Sequence, residues 1–289
     1  MSTSSPTAFV HRGGFVFPLL VGLAVLLGAC RAPLPTEQSS VSATDHSWSL
    51  VWADEFDANG LPDASKWAYD VGGHGWGNNE LQFYTEARER NVRVEDGVLV
   101  IEAHREAWEG RDYTSTRLVT RGRSDWLYGR FEIRARVPAG RGTWPAIWML
   151  PTDWNLGSGS WPDVGEIDIM EHVGHAPGVV HASAHSKRYQ WQAGTQKTGT
   201  IQLPTATEQF HTYVLEWTPE EIRVFVDDTL FFSYANEGTG WETWPYQRPY
   251  YLILNIAVGG AWGGEKGIDE AAFPQRMLVD YVRVYERAN

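Results

Sequence analysis

Short apolar segments recur along residues 47–289, and their spacing limits the folds open to this chain more than any other feature. In Phe131–Val137 every second side chain is apolar and those between are charged, the period of a strand with one buried face. Asp96-Gly97 separates two such segments and predicts a hairpin turn. No helical pattern exceeds two turns. Strands are expected at Val92–Val94, Val98–Ala103, Gly129–Val137, Ala146–Leu150, Glu166–Glu171, Val179–His185, His211–Thr218, Ile222–Val226, Tyr250–Val258 and Met277–Glu286. Many short strands without long helices indicate an all-β sandwich or barrel.

Composition narrows the function of this domain. The formal net charge of −12 argues against a nucleic-acid partner, since such proteins present a basic face. One cysteine among 289 residues excludes an intramolecular disulfide. The 15 tryptophans are unusual and favour either a surface that stacks on flat apolar faces or a very aromatic core.

The first 46 residues are expected to lie outside the folded domain. Phe15–Leu27 is apolar but too short to span a bilayer, as in a signal peptide. Leu27–Cys30 resembles a bacterial lipobox, in which the cysteine is lipidated. We therefore expect a lipoprotein signal peptide at 1–29, lipidation of Cys30, and a flexible tether at 30–46. An ordinary cleaved signal peptide is the alternative. Arg31, rather than Asp, after this cysteine favours the outer membrane or cell surface, with a secreted protein as the alternative. No second membrane segment follows, so the lipid would be the only membrane anchor.

The chemistry of the domain is concentrated in Glu166–Glu171. Alternation puts Glu166 and Asp168 on one face of a strand and would put Glu171 on the other, buried face, where an unpaired carboxylate is costly. A β-bulge near Ile169–Met170 would return Glu171 to the first face. We therefore predict a bulge. A carboxyl separation of ~5–5.5 Å would fit a retaining glycosidase and ~6.5–9.5 Å an inverting one.

Three carboxyl groups on one short face repel each other, which raises the pKa of at least one and provides an acid near neutral pH. A solvated acidic strand or a divalent-metal site is an alternative reading of the pattern. The flanking tryptophan and glycine residues favour catalysis on a carbohydrate.

The Glu166–Glu171 segment also resembles the signature of glycoside hydrolase family 16, in the form with an extra residue before the second Glu that is associated with laminarinases. Other segments resemble that family in order along the chain: Val51–Phe56, Asn78–Thr85, Gly142–Leu150, Leu254–Gly260 and Val279–Tyr285. The resemblance implies a β-jelly roll of two curved antiparallel sheets, with residues 47–289 as the catalytic domain and the substrate lying across the concave sheet.

The resemblance also assigns roles that the residue pattern leaves open. It implies that Glu166 is the nucleophile, that Glu171 is the acid and then the base, and that Asp168 assists the nucleophile. The configuration at the anomeric carbon would be retained through a covalent glycosyl-enzyme, and no cofactor would be needed for catalysis.

Several residues are candidates for holding the sugar chain. Trp144 and Trp148 are four apart on a strand and share a face, where they can stack on sugar rings. By resemblance, Asn79 and Arg117 would bind hydroxyls. His185 is expected to contact the sugar on the leaving-group side, and a surface or core role is the alternative. His181 lies on the same face of that strand and could bind a metal together with His185, but no third ligand is apparent. Tryptophans in loop-like settings that can edge the groove are Trp161, Trp191, Trp241, Trp244 and Trp262.

A structural calcium ion is expected by the same resemblance, far from catalysis. The matching positions are Glu55, the backbone of Gly97, and Asp280, and oxygen ligands suit Ca²⁺. A buried acid with hydrogen-bonded partners is the alternative.

Together these observations predict a monomeric endo-β-glucanase that cleaves β-1,3 bonds, alone or in mixed β-1,3-1,4 glucans. The partner is a β-glucan polysaccharide. Hydrolases or transglycosylases acting on agar, carrageenan or xyloglucan share the motif and stay open as alternatives. A catalytically inactive glucan-binding module is a third reading, which the presence of both Glu166 and Glu171 disfavours.

Overall fold

The computed structural model describes residues Trp48–Ala288. The expected signal peptide, the expected lipidation at Cys30 and the expected tether lie outside the described residues. Within them, the chain forms 17 strands and two short 3-10 helices, Trp191–Ala193 and Glu270–Ala272. The strands are β1 Trp48–Asp54, β2 Ala68–Tyr69, β3 Gln82–Tyr84, β4 Val92–Glu95, β5 Val98–Trp108, β6 Arg111–Ser115, β7 Arg117–Val119, β8 Gly129–Arg136, β9 Thr143–Pro151, β10 Glu166–His172, β11 Val179–His185, β12 Lys197–Gln202, β13 His211–Trp217, β14 Glu221–Val226, β15 Thr229–Ala235, β16 Tyr250–Val258 and β17 Gln275–Arg287.

The strands form two sheets, which confirms the predicted all-β sandwich. The ten-stranded sheet has the order β15-β14-β13-β8-β17-β5-β6-β3, with β1 paired to β17 and β4 to β5. The seven-stranded sheet has the order β12-β11-β10-β9-β16-β7-β2. Among the described residues, no helix is long and apolar enough to cross a membrane.

The core lies between the two sheets and follows from the alternation in the sequence. Phe131, Ile133 and Ala135 of β8 are fully buried, while the charged residues between them are partly exposed. Leu252 and Leu254 of β16 join the same apolar cluster from the seven-stranded sheet. Complete burial of such a side chain stabilises the fold by roughly 1.5–3 kcal/mol.

The expected strands all occur, with bounds that differ by a few residues at some ends. The longest extension is in β5, which continues from Ala103 to Trp108. Asp96 and Gly97 have φ values of 53° and 76°, as a two-residue type I′ hairpin turn requires. Strands β2, β3, β6, β7, β12 and β15 were not among the expected segments. Three of them, β2, β3 and β7, have only two or three residues, too few to show a period.

Candidate active site

A bulge in β10 decides which side chains of the acidic segment share a face. Asp168 pairs with Trp148 of β9, but the next paired residue is Met170, opposite Ile147. On the other side, Ile169 and Met170 together oppose a single residue of β11. Both are fully buried in the core, so the alternation resumes one residue late and Glu171 returns to the face of Glu166. The predicted bulge is confirmed.

Glu166, Asp168 and Glu171 lie together in the wall of a groove of about 660 Å³ on the seven-stranded sheet. The groove crosses from β10 over β9 and β16 to β7 and β2. Six tryptophans line it: Trp76, Trp144, Trp148, Trp154, Trp161 and Trp191. An open groove with indole faces and hydrogen-bonding groups suits a sugar chain, whose rings offer flat C–H faces and hydroxyls.

Burial raises the pKa of all three carboxyl groups. The pKa of Glu166 is raised further by the charge of Asp168, and that of Asp168 by the charge of Glu171. The three groups therefore titrate as one set, which holds at least one proton where isolated carboxyls would be ionised. The raised pKa agrees with the prediction, and such a set can supply both a base or nucleophile and an acid.

Trp144 contacts Glu171 directly. Its indole Nε1 donates a hydrogen bond of 3.0 Å to Glu171 Oε1, which lowers the pKa of Glu171 against the larger effect of burial. The ring of Trp262 lies edge-on to that of Trp144, with centroids 5.5 Å apart. Trp144 thus fixes the direction of the carboxyl group as well as lining the groove.

His185 is buried beside the acidic residues of β10. The side chain is buried and is absent from the groove lining. Its Nε2 is 3.1 Å from Asp168 Oδ2 and 3.9 Å from Glu166 Oε1. The register of β11 places His185 opposite Glu166, which turns the imidazole towards the carboxyls. The structure thus places His185 against the acidic residues, and its expected contact with the sugar stays a prediction.

Arg117 and Trp148 both line the groove as expected, and they stack on each other. The Arg117 guanidinium lies 4.6 Å from the Trp148 ring centroid and 4.7 Å from that of Trp76, with an ion pair to Asp70 at 3.1 Å. Trp148 Nε1 donates to Asn255 Oδ1 at 2.7 Å. These contacts hold both indoles in fixed orientations at this end of the groove.

Asn79 does not line the groove, but its neighbour Asn78 does. It is exposed, adopts a left-handed φ of 57°, and lines a separate cavity beside the groove. The neighbouring Asn78 lines the groove and donates to the buried carboxyl of Glu80 at 3.2 Å. A tight turn reverses adjacent side chains, so sequence order alone could not choose between the two asparagines.

The loop tryptophans divide between rim and core. Trp161 and Trp191 line the groove, and Trp262 packs behind Trp144. Trp244 is 3% exposed within the core, which corrects its placement at the rim. Trp76 and Trp154 line the groove but had not been singled out, although their glycine-rich surroundings resemble those of the other loop tryptophans.

The three expected calcium positions come close through strand pairing. Glu55 follows β1 and Gly97 precedes β5, both beside the part of β17 that holds Asp280. Both carboxylate oxygens of Glu55 accept hydrogen bonds of 2.8 Å from Arg283, and Asp280 accepts one from Arg134. With each carboxylate neutralised by an arginine, this arrangement does not fit a cation. The calcium ion is thus expected only from the family resemblance, and chelation can test it.

A metal remains a geometric alternative at the acidic residues. Glu166, Asp168 and His185 are the only group of this kind within the described part of the chain, each offering a ligand atom within 4.8 Å of the others. The aromatic groove around them favours the carbohydrate reading.

Comparison with known proteins supports the carbohydrate interpretation. The model of the family described as "Glycosyl hydrolases family 16" matches residues 79–283, which include the whole of β10. This chain belongs to glycosyl hydrolase family 16.

Similarity to individual family 16 proteins extends over the described domain. The chain is 57% identical over 281 residues to a beta-glucanase of Rhodothermus marinus, covering 96% of this chain and 94% of the relative. The solved laminarinase of Rhodothermus marinus superposes with a TM-score of 0.84 at 61% identity, covering 84% of this chain and 99% of that one. A non-specific endo-β-1,3(4)-glucanase variant, crystallised with 1,3-beta-D-cellotriosyl-glucose, matches with a TM-score of 0.80 at 46% identity, covering 83% and 95%.

These matches confirm the family and its β-jelly roll for this chain. The protein is a glycoside hydrolase, and the segment Glu166–Glu171 resembles the longer form of the family 16 signature. The bulge accommodates the additional residue of that form.

Proposed function

We propose that this family 16 enzyme hydrolyses internal β-1,3 bonds of laminarin-type glucans, and of mixed β-1,3-1,4 glucans, with retention of configuration. The observation that carries the proposal is the position of Glu166 and Glu171 on one face of a tryptophan-lined groove. The laminarinase and β-glucanase names of its relatives support the choice of glucan.

In the proposed first step a carboxylate oxygen of Glu166 bonds to the anomeric carbon, and the bond from that carbon to the glycosidic oxygen breaks. Glu171 gives its proton to the departing oxygen. In the second step Glu171, now a carboxylate, takes a proton from water. The water oxygen bonds to the anomeric carbon and releases Glu166. A separation of ~5–5.5 Å between the two carboxyl groups is expected for this mechanism.

A product profile tests the substrate. The enzyme is incubated with laminarin, barley β-glucan, agarose and carrageenan, and the products are separated by size. Mixed short oligosaccharides released early from laminarin are expected, because an endo-acting enzyme cuts within chains. Cleavage of a galactan alone would overturn the assignment. Binding of laminarin without any product would favour the glucan-binding module instead.

We also propose that the mature enzyme is a monomer anchored outside the cell by lipid on Cys30. The lipobox-like segment before this residue supports the anchor. In a bacterial host, Cys30→Ser is expected to move the enzyme from the membrane fraction to the soluble fraction, and intact mass should show the acyl chains only with Cys30. An unmodified wild-type protein in the soluble fraction would contradict the anchor.

A further inference from the structure

His185 lies against the carboxyl groups of β10 without lining the groove. Its side chain is on the same face as Glu166, directly opposite in the β10–β11 ladder. Asp168 Oδ2 is buried and accepts no hydrogen bond from the described residues, and the imidazole Nε2 is 3.1 Å from it. Trp161 lies on the groove side, its ring centroid 5.8 Å from that of the imidazole.

We propose that His185 is a positioning residue that shares one proton with Asp168 and so keeps Glu166 ionised for attack. The proposal rests on the catalytic role proposed above for Glu166. With one shared proton, the Asp168–His185 pair has no net charge whether the proton is on the carboxyl group or on the imidazole. Glu166 then faces a neutral pair rather than a second anion.

Titratable groups face His185 from the elements packed against it, and a hydrogen bond between Glu166 and Asp168 gives the proton a second position. From β10 it faces Glu166, Asp168 and Glu171. Tyr246, in the segment before β16, donates through its hydroxyl to the His185 backbone carbonyl at 2.7 Å, and burial raises the pKa of Tyr246 so that it stays neutral. On the neighbouring β12, Lys197 forms an ion pair with Glu237.

Electrostatics give the sign of the effect on the nucleophile. A positive imidazole near Glu166 lowers the pKa of that carboxyl, against the larger raising effects of burial and of Asp168. Loss of the imidazole therefore raises the pKa of Glu166, and protons inactivate the nucleophile at a higher pH. A charge 4–6 Å away shifts a pKa by about 1 unit or more.

The test compares His185→Gln, Asp168→Asn and the double variant through kcat/KM on laminarin as a function of pH. His185→Gln is expected to move the acidic limb upward by about 1 pH unit, a loss of about tenfold at a pH within that limb. In the Asp168→Asn background the same substitution should have little further effect, because the proton-sharing partner is already gone. A direct sugar contact would instead raise KM equally at all pH values and add to Asp168→Asn; this result would overturn the proposal.

A second measurement needs no substrate. In protein labelled with ¹³C at glutamate carboxyls, the Glu166 resonance is assigned by its loss in Glu166→Gln. Its titration midpoint should rise in His185→Gln and stay unchanged in Ser183→Ala, a matched control on the same strand that donates to Thr198. An unchanged Glu166 midpoint in His185→Gln would overturn the proposal. If the wild type cleaved no glucan, the proposed substrate would fail, but this titration would still be decisive.

Discussion

The three carboxyl groups in the groove carry the same functional group but have different surroundings. Glu166, Asp168 and Glu171 are all carboxyl groups with raised pKa values, but each has a different neighbour. Glu171 accepts from Trp144, and Asp168 lies against His185. These neighbours provide a physical basis for separate roles.

Glu166→Gln is expected to reduce kcat on laminarin to background, because an amide cannot form the glycosyl-enzyme. The side chain keeps its size, so the melting temperature should stay within a few degrees of wild type. Turnover is followed by reducing-sugar release, and folding by circular dichroism. A nearly active variant would refute the assignment of the nucleophile.

Trp144→Phe is expected to move the basic limb of the pH profile to higher pH. The indole N–H lowers the pKa of Glu171, so its removal lets the acid keep its proton to a higher pH. Phenylalanine keeps an aromatic ring against Trp262. The measurement is kcat/KM on laminarin as a function of pH, from about pH 5 to about pH 9. A basic limb at its wild-type position, or displaced downward, would contradict this account.

Residue identity predicted that the acidic residues, Trp144 and Trp148 share a face, and the family resemblance added Arg117. Neither could predict the side-chain contacts that depend on strand register. The contact of His185 with Asp168 could not be predicted, because it depends on which residue of β10 His185 faces. Asn79 was misplaced because a tight turn sends adjacent side chains in different directions. Trp244 was misplaced because a loop-like sequence can still be covered by other elements.

Among the elements, β10 determines the active site through its bulge. The chemical cost of burying Glu171 predicted the bulge from the sequence alone, and the pairing confirmed it. The short strands β2 and β7 could not be predicted, yet they form one end of the groove and hold Arg117 and Tyr69 there. Periodicity is informative only over several residues, so such elements become visible only in the folded sheet.

Deletion of Met170 is expected to leave a regular strand in which both glutamates still share a face, because they become four positions apart. The variant should keep measurable laminarin hydrolysis. It should also be less stable by roughly 2–5 kcal/mol, the usual cost of losing a large buried apolar side chain. Urea unfolding gives the stability and reducing-sugar release the activity. A well-folded deletion variant with no activity would contradict the proposed role of the bulge.

Glu106 links β5 to neighbouring segments through Arg88 at 2.6 Å and through a short hydrogen bond from Thr114. Hydrogen bonding to Arg88 is the main cause that lowers the pKa of Glu106 to about 2. Its folded pKa is below the unfolded value, so the stabilisation is present above about pH 4.5 and is lost as the pH falls towards about 2.

Glu106→Gln should therefore lower the free energy of unfolding by about 1–3 kcal/mol at pH 7, as for a hydrogen bond to a charged group, and by less at pH 3. The control is Glu109→Gln, at an exposed position in the turn after β5. Urea titrations at both pH values measure the difference. An equal loss at pH 7 and pH 3 would count against the charge-based explanation.

At the scale of the whole molecule, the seven-stranded sheet has two roles. Its inner face packs against the ten-stranded sheet in the core, and its outer face carries the groove. This explains the many tryptophans: Trp67 and Trp217 are buried in the core, whereas six others line the groove. The period-two pattern predicted the sandwich, and family resemblance added the position of the groove on it.

The calcium ion expected from the family resemblance would stabilise the whole fold, so chelation can test for it. If calcium stabilises the fold, EDTA treatment should lower the melting temperature and added Ca²⁺ should restore it. The arginine partners of Glu55 and Asp280 lead us to expect little change. A large, calcium-reversible fall would show that these ion pairs rearrange around a cation.

Glu166 and Glu171, on one face of the groove, are proposed to hydrolyse a β-glucan with retention of configuration. Time-resolved ¹H NMR of laminarin hydrolysis tests this proposal most directly, because the anomeric proton of each new reducing end reports its configuration before mutarotation. The β-anomer is predicted to appear first and the α-anomer only later. Early appearance of the α-anomer would contradict the double-displacement mechanism.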